Sequence, residues 1–276
     1  MELKGYDFAI CVTHDIDRTG DNRMFRLVKN SVKGIRNRNF ELFKNAFSDT
    51  NIDFKISEIL DMEKDYGVEQ STWYFLTMTK KLLGVTLPKQ GDYELDDKFC
   101  QETLKLLKGQ EIGLHIPFIE LNCENIRKEK QKLDRFLNIT GARAHYLKGK
   151  YPDLLVELDK AGFLYDTTFG LNNEFPIEFT PFHPTVDGKE LKIFEVPLNI
   201  MDVNITNYDT FKKGIEKIIP VLKKNHGVLV INWHPNRFNE IEFGDLYRRC
   251  FNFLLLEGKI NNAWMTSIQN ILDGIK

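Results

Sequence analysis

The chain has 276 residues, enough for one large domain with a full core, and α/β barrels of that length are ordinary. Hydrophobic residues make up 42% and charged residues 28%, the balance of a globular protein, and a formal net charge of −2 excludes a globally basic nucleic-acid binder. Cys11, Cys100, Cys123 and Cys250 are far apart with no CxxC pair, which excludes a thiolate zinc site and a disulfide framework.

In chain order, short apolar runs alternate with helical patterns. Strands are predicted at 7–13, 71–77, 111–116, 144–148, 163–165, 193–198, 228–233 and 263–266. Helices are predicted at 54–66, 96–109, 124–138, 151–161, 208–224, 241–256 and 267–275, with Gly162 and Gly227 as stops. This alternation is that of parallel strands joined by crossover helices. Seven or eight such units point to a distorted (β/α) barrel, with an open sheet as the alternative. No repeat, low-complexity tract or linker interrupts it, so residues 1–276 are expected to form a single domain. The charged start before the first strand lacks the long apolar stretch of a secretion signal, and no run would span a bilayer. A cytoplasmic protein with no transmembrane segment is expected. Residues 18–52 and 79–95 break the rhythm as insertions after strands, where parallel folds carry their sites.

The densest chemistry is Thr13-His14-Asp15-Ile16-Asp17, closing the first strand. With a period of two, Asp15 and Asp17 project together while His14 points away. Adjacent carboxylates repel unless a cation lies between them, so one can ligate a metal and the other act as a base. Turn capping is the plainer alternative. Glu111-Ile112-Gly113-Leu114-His115 ends another strand in a histidine, a metal ligand or a satisfied core residue. Arg143-Ala144-His145-Tyr146 opens a further predicted strand; Asp166 follows Phe163-Leu164-Tyr165, and His234 closes Val228 to Trp233. His226, just before Gly227, is placed for a favourable helix-dipole contact. His183, in Pro181-Phe182-His183-Pro184, either lines a pocket or serves a turn.

Taken in order, Thr-x-Asp-x-Asp, Glu-Ile-Gly-x-His, Arg-x-x-Tyr, Tyr-Asp-x-Thr and an apolar strand ending in His resemble the polysaccharide deacetylase family of carbohydrate esterases, from Thr13 to His234. The most similar branch has Thr-His-Asp-x-Asp in place of Thr-Phe-Asp-Asp. The resemblance implies a metal-dependent hydrolase removing an acetyl group from a saccharide, with a divalent metal, zinc first and nickel or cobalt next. It implies Asp15 as general base paired with Arg143, Asp17 and His115 as metal ligands, and His234 as general acid oriented by Asp166. The family's second metal histidine, four residues after the first, falls here on Ile119. His145, Glu120 and His183 are candidates for the missing ligand, His145 first. Loss of the metal would instead leave a non-catalytic carbohydrate-binding protein on the same scaffold.

Residues 18–44 carry eight basic residues, among them Arg23, against Asp21 and Glu41. This surplus suits an anionic glycan of surface-polysaccharide biosynthesis, although a solvated helical face explains most charge runs. Tyr146, His183 and Trp233 join Arg23 as candidate substrate-binding residues.

Overall fold

A computed structural model describes residues 3–17, 35–36, 56–78, 81–82, 85–86, 91, 93–171, 179–239 and 244–275. Nearly all of the basic insertion at 18–52, Arg23 included, lies outside the described residues. The strands are β1 (Phe8–Ile16), β2 (Thr72–Leu76), β3 (Lys81–Leu82), β4 (Val85–Thr86), β5 (Glu111–Ile116), β6 (Gly141–Ala144) and β7 (Tyr165–Asp166). They continue as β8 (Thr185–Val186), β9 (Lys189–Glu190), β10 (Phe194–Glu195), β11 (Leu198–Met201), β12 (Val228–Asn232) and β13 (Ala263–Thr266). The main helices are α1 (Ile56–Tyr66), α2 (Lys98–Leu106), α3 (Cys123–Asp134), α4 (Asp153–Ala161), α5 (Tyr208–Asn225), α6 (Gly244–Ile260) and α7 (Ile268–Asp273).

A nine-stranded sheet runs β10-β7-β6-β5-β2-β1-β12-β11, with β13 also paired to β1. Every pairing within it is parallel. Its two edge strands, β10 and β11, are separated in the chain only by Val196 and Pro197, so the sheet curls back on itself as a distorted (β/α) barrel. Strands β3–β4 and β8–β9 form two small antiparallel hairpins. Among the described residues no helix is long and apolar enough to cross a membrane.

Period two organises both faces of the sheet. Phe8, Ile10, Val12 and Ile16 of β1 join Trp73, Phe75, Ile112, Leu114, Ile231 and Trp233 in the core under the helices. Ala9 and Cys11 face the other way, with Tyr74, Tyr165 and Val230. Two tyrosine rings fill that interior only because glycines lie opposite. A Cβ on Gly113 would sit 2.4 Å from the Tyr74 ring, and one on Gly141 would sit 1.9 Å from Tyr165 Cζ. Helix starts are fixed locally: the side chains of Asn122, Asn207 and Ser267 accept from the backbone N–H groups of Asn125, Thr210 and Asn270.

Three expected boundaries move. The strand predicted at 144–148 is β6, Gly141–Ala144, because the chain turns through left-handed backbone at Tyr146 (φ 59°) and Leu147 (φ 49°). His145 therefore follows a strand end instead of lying inside a strand. The run 193–198 splits into β10 and β11 at Pro197, which has no N–H to continue a ladder. The left-handed cap of α5 falls on His226 (φ 49°), one residue before Gly227, and the His226 ring bonds the Asp7 carbonyl.

Candidate metal centre and active site

The interior face of β1 reads Ala9, Cys11, Thr13, Asp15 and then Asp17 just past the strand, passing from small apolar packing to acids at the C-terminal end. The same alternation on β5 leads through Gly113 to His115, on β6 through Arg143 to His145, and on β12 through Val230 and Asn232 to His234. Parallel strands bring these ends to one face of the sheet.

Asp15 is buried. Its Oδ1 accepts from Arg143 (2.8 Å) and its Oδ2 from Asn232 Nδ2 (2.7 Å). Arg143, fully buried, also donates to Thr13 Oγ1 (2.9 Å) and to the Thr167 carbonyl (3.1 Å), and its guanidinium lies 4.5 Å over the Tyr74 ring. Burial alone would raise the Asp15 pKa; Arg143, with His115 and His234, more than offsets this and holds it below the ordinary value.

Among the described residues one group of ligand-type side chains gathers: Asp17, His115 and His145 offer atoms within 4.8 Å of one another. Asp17 Oδ1 lies 3.2 Å from His115 Nε2 and 3.4 Å from His145 Nε2. Yet this buried oxygen has no partner in hydrogen-bond geometry, and neither has His145 Nδ1. His115 Nδ1 bonds the Arg143 carbonyl (3.0 Å), which can only accept, so Nδ1 carries a proton. In the neutral ring the Nε2 lone pair then faces a carboxylate oxygen, an arrangement that a cation between them satisfies. Mixed His and Asp donors suit zinc and similar divalent ions, and three protein ligands leave a position open. The two imidazoles and the charge of His234 outweigh burial and hold Asp17 well below the usual carboxylate range. Burial lowers the His145 pKa, which favours the neutral, ligating ring.

His234 Nε2 lies 3.7 Å from Asp17 and 3.9 Å from Asp15. Its Nδ1 bonds Asp202 Oδ1 at 2.7 Å, and its backbone N–H donates to Asp202 Oδ2 at 2.8 Å. Burial opposes protonation, but Asp202, with Asp17 and Asp15, pushes the His234 pKa up to about 9.

Several expected partners lie elsewhere. Asp202, not Asp166, bonds the His234 ring, because β11 extends to Met201 and delivers Asp202 at its end. Asp166 instead accepts from Thr168, whose Oγ1 in turn accepts from the Ala144 N–H. Trp233 is fully buried on the outward face against Phe251, where period two puts it, and cannot meet a substrate. His183 bonds the Ile193 carbonyl and packs 3.8 Å from the Phe194 ring at the start of β10, away from strand ends. Tyr146 is 60% exposed, with its ring 4.4 Å from His145. Ile119 lines two clefts, of about 820 Å³ and about 460 Å³, together with Glu120 and Lys148. Neither Ile119 nor Glu120 belongs to the ligand group. Asp202 and Asn232 were the residues missed. Each is a polar side chain closing an apolar run, the same signal that marked His115.

No protein-family model matches the sequence, and none of the curated proteins does. Solved structures do. A candidate polysaccharide deacetylase from Mycobacterium smegmatis is 15% identical with a TM-score of 0.61, covering 99% of this chain and 91% of that one. One from Pseudomonas aeruginosa is 13% identical, with a TM-score of 0.61 and coverage of 99% and 97%. The chain has the polysaccharide deacetylase fold. PuuE allantoinase shares it at 13% identity, with a TM-score of 0.64 and coverage of 98% and 90%. These matches cover 98% to 99% of the chain.

Proposed function

We propose that the protein is a metal-dependent carbohydrate deacetylase that hydrolyses an acetyl group on a saccharide. The observation that carries this reading is the juxtaposition of a buried carboxylate paired with Arg143, an imidazole bonded to Asp202, and the Asp17–His115–His145 group beside both. Asp17, His115 and His145 would hold a divalent ion, zinc first and nickel or cobalt next. Such an ion polarises the acyl carbonyl and lowers the pKa of the attacking water.

Asp15 takes the proton of that water, and Arg143 keeps it ionised to do so. His234 delivers a proton to the departing nitrogen or oxygen, with Asp202 fixing the ring so that Nε2 faces the reaction. The lowered Asp15 pKa keeps that carboxylate ionised and the raised His234 pKa keeps that ring protonated, the starting states of a base and an acid. Tyr146 offers an exposed ring beside His145 on which a sugar can stack. The basic insertion containing Arg23 would meet an anionic glycan, which suits a cytoplasmic enzyme of surface-polysaccharide biosynthesis. Ile119 favours the second reading, a carbohydrate-binding protein without turnover, but the His145 Nε2 directed at Asp17 argues against it.

The test is metal content and deacetylation by the purified protein. About one equivalent of zinc, nickel or cobalt is expected, lost in Asp17→Ala and His145→Ala. Asp15→Asn should retain the metal and lose about two to four orders of magnitude in kcat. Unchanged metal content in His145→Ala removes it as a ligand; turnover surviving in Asp15→Asn removes the base.

A further inference from the structure

His14 stands between Thr13 and Asp15 but faces the opposite side of β1, and the proposed chemistry makes no use of it. It is fully buried. Its Nδ1 donates to the Trp233 carbonyl (2.9 Å), and its Nε2 meets Glu63 Oε1 of α1 (2.6 Å). The other Glu63 oxygen accepts from Ser71 Oγ (2.8 Å), which accepts from Trp73 Nε1 (2.8 Å), and the Trp73 ring packs on the imidazole at 4.1 Å. The ring is thus braced on both nitrogens and on one face.

The carbonyl that His14 holds belongs to the same peptide unit as the His234 N–H, which donates to Asp202 Oδ2 (2.8 Å). One end of that plane is gripped by β1 and the other by the carboxylate that also orients the His234 ring. The Trp233 N–H, bonded to the Thr13 carbonyl (3.0 Å), registers the strand but leaves the next peptide free to rotate. Rotation of that plane swings the His234 imidazole relative to Asp15, which rides on the same strand as His14, and to Asp17 just past its end.

We propose that His14, braced by Glu63, is a positioning residue that locks the Trp233–His234 peptide and thereby sets His234 against Asp15 and Asp17. The consequence for turnover rests on the deacetylase reading; the locking of the peptide does not. Two variants of the full chain separate the cases. His14→Phe removes the donor, while His14→Asn places an amide N–H close to the lost Nδ1. In His14→Phe the His234 backbone amide should exchange with solvent at least about tenfold faster, with the Val12 amide of β1 unchanged. On an acetylated saccharide, kcat should fall about tenfold with KM and metal content unchanged. His14→Asn should restore both. If His14→Phe does not fold, Glu63→Gln, which loosens the brace, should speed His234 exchange by about two- to fivefold. Wild-type exchange at His234 in His14→Phe, or in Glu63→Gln where that variant carries the test, overturns the proposal. So does failure of His14→Asn to restore it. If no substrate turns over, the exchange measurement decides alone.

Discussion

Two pairs of carboxyl groups sit on this sheet with opposite outcomes, the first buried at Asp15 and half-buried at Asp17, the second buried at both members. Asp15 and Asp17 lie at the end of β1; Asp166 and Glu195 are register partners on β7 and β10. The first pair is surrounded by Arg143, His115, His145 and His234, and both carboxyls are held below their ordinary values. Among the described residues the second pair has no ion pair, and Arg143 reaches Asp166 only as the weakest of its influences. Glu195 has neither oxygen in hydrogen-bond geometry, and burial, then the Asp166 charge, push it well above the carboxylate range. Burial pushes Asp166 to about 6. Asp15, like Asp166 and Glu195, is buried, and the Arg143 charge beside it is what keeps it ionised. The ionised pair can do proton and metal chemistry. In the second pair Glu195 keeps its proton beside Asp166, so the two do not present a paired negative charge to a cation, which is a physical reason to place the site on β1.

The largest way to break this contrast is to remove its cation. Arg143→Met leaves Asp15 buried opposite no fixed charge, and a loss of about 3–5 kcal/mol in urea unfolding of the metal-free protein is expected. A loss under about 1 kcal/mol would mean that Arg143 is not what keeps the pair ionised.

A smaller effect sharpens the proton-donor side. Asp202→Asn keeps the shape of the His234 partner but removes its charge. The His234 pKa, now about 9, should fall toward the ordinary value of about 6.5 in an NMR titration of metal-free protein. An unmoved value would assign the shift to Asp15 and Asp17 instead.

The smallest effect tests the silent pair. Asp166 and Glu195 bind protons more tightly in the folded chain than at their ordinary values of 3.8 and 4.5. The folded state therefore carries extra protons, and stability falls as pH rises through and above these values. Glu195→Gln, a neutral isostere, should match the wild type within about 1 kcal/mol at low pH and lose less stability between about pH 5 and 8. Equal destabilisation at both pH values would show that the pair holds no proton.

Much of this architecture is legible in the amino-acid sequence. The alternation of apolar runs and helices led to the barrel, and period two put Asp15 and Asp17 on one face with His14 on the other. Those inferences rest on local geometry, which a few consecutive residues dictate. Gly162 likewise ends α4 in left-handed backbone (φ 81°), a conformation that is a property of the residue itself. Errors arose where a boundary slipped. Ending a strand at 198 hid Asp202, and starting one at 144 put His145 in a strand instead of beyond its end.

The sequence by itself determined which side chains stand at strand ends and which face each takes, because alternation along a strand is covalent geometry. Only the tertiary structure decided who meets whom: Asp202 and not Asp166 on His234, His145 and not Glu120 or His183 beside Asp17, Asn232 on Asp15. Those meetings depend on strand order and on where each strand stops. Both are set by the packing of segments distant in the chain, and no local pattern encodes them.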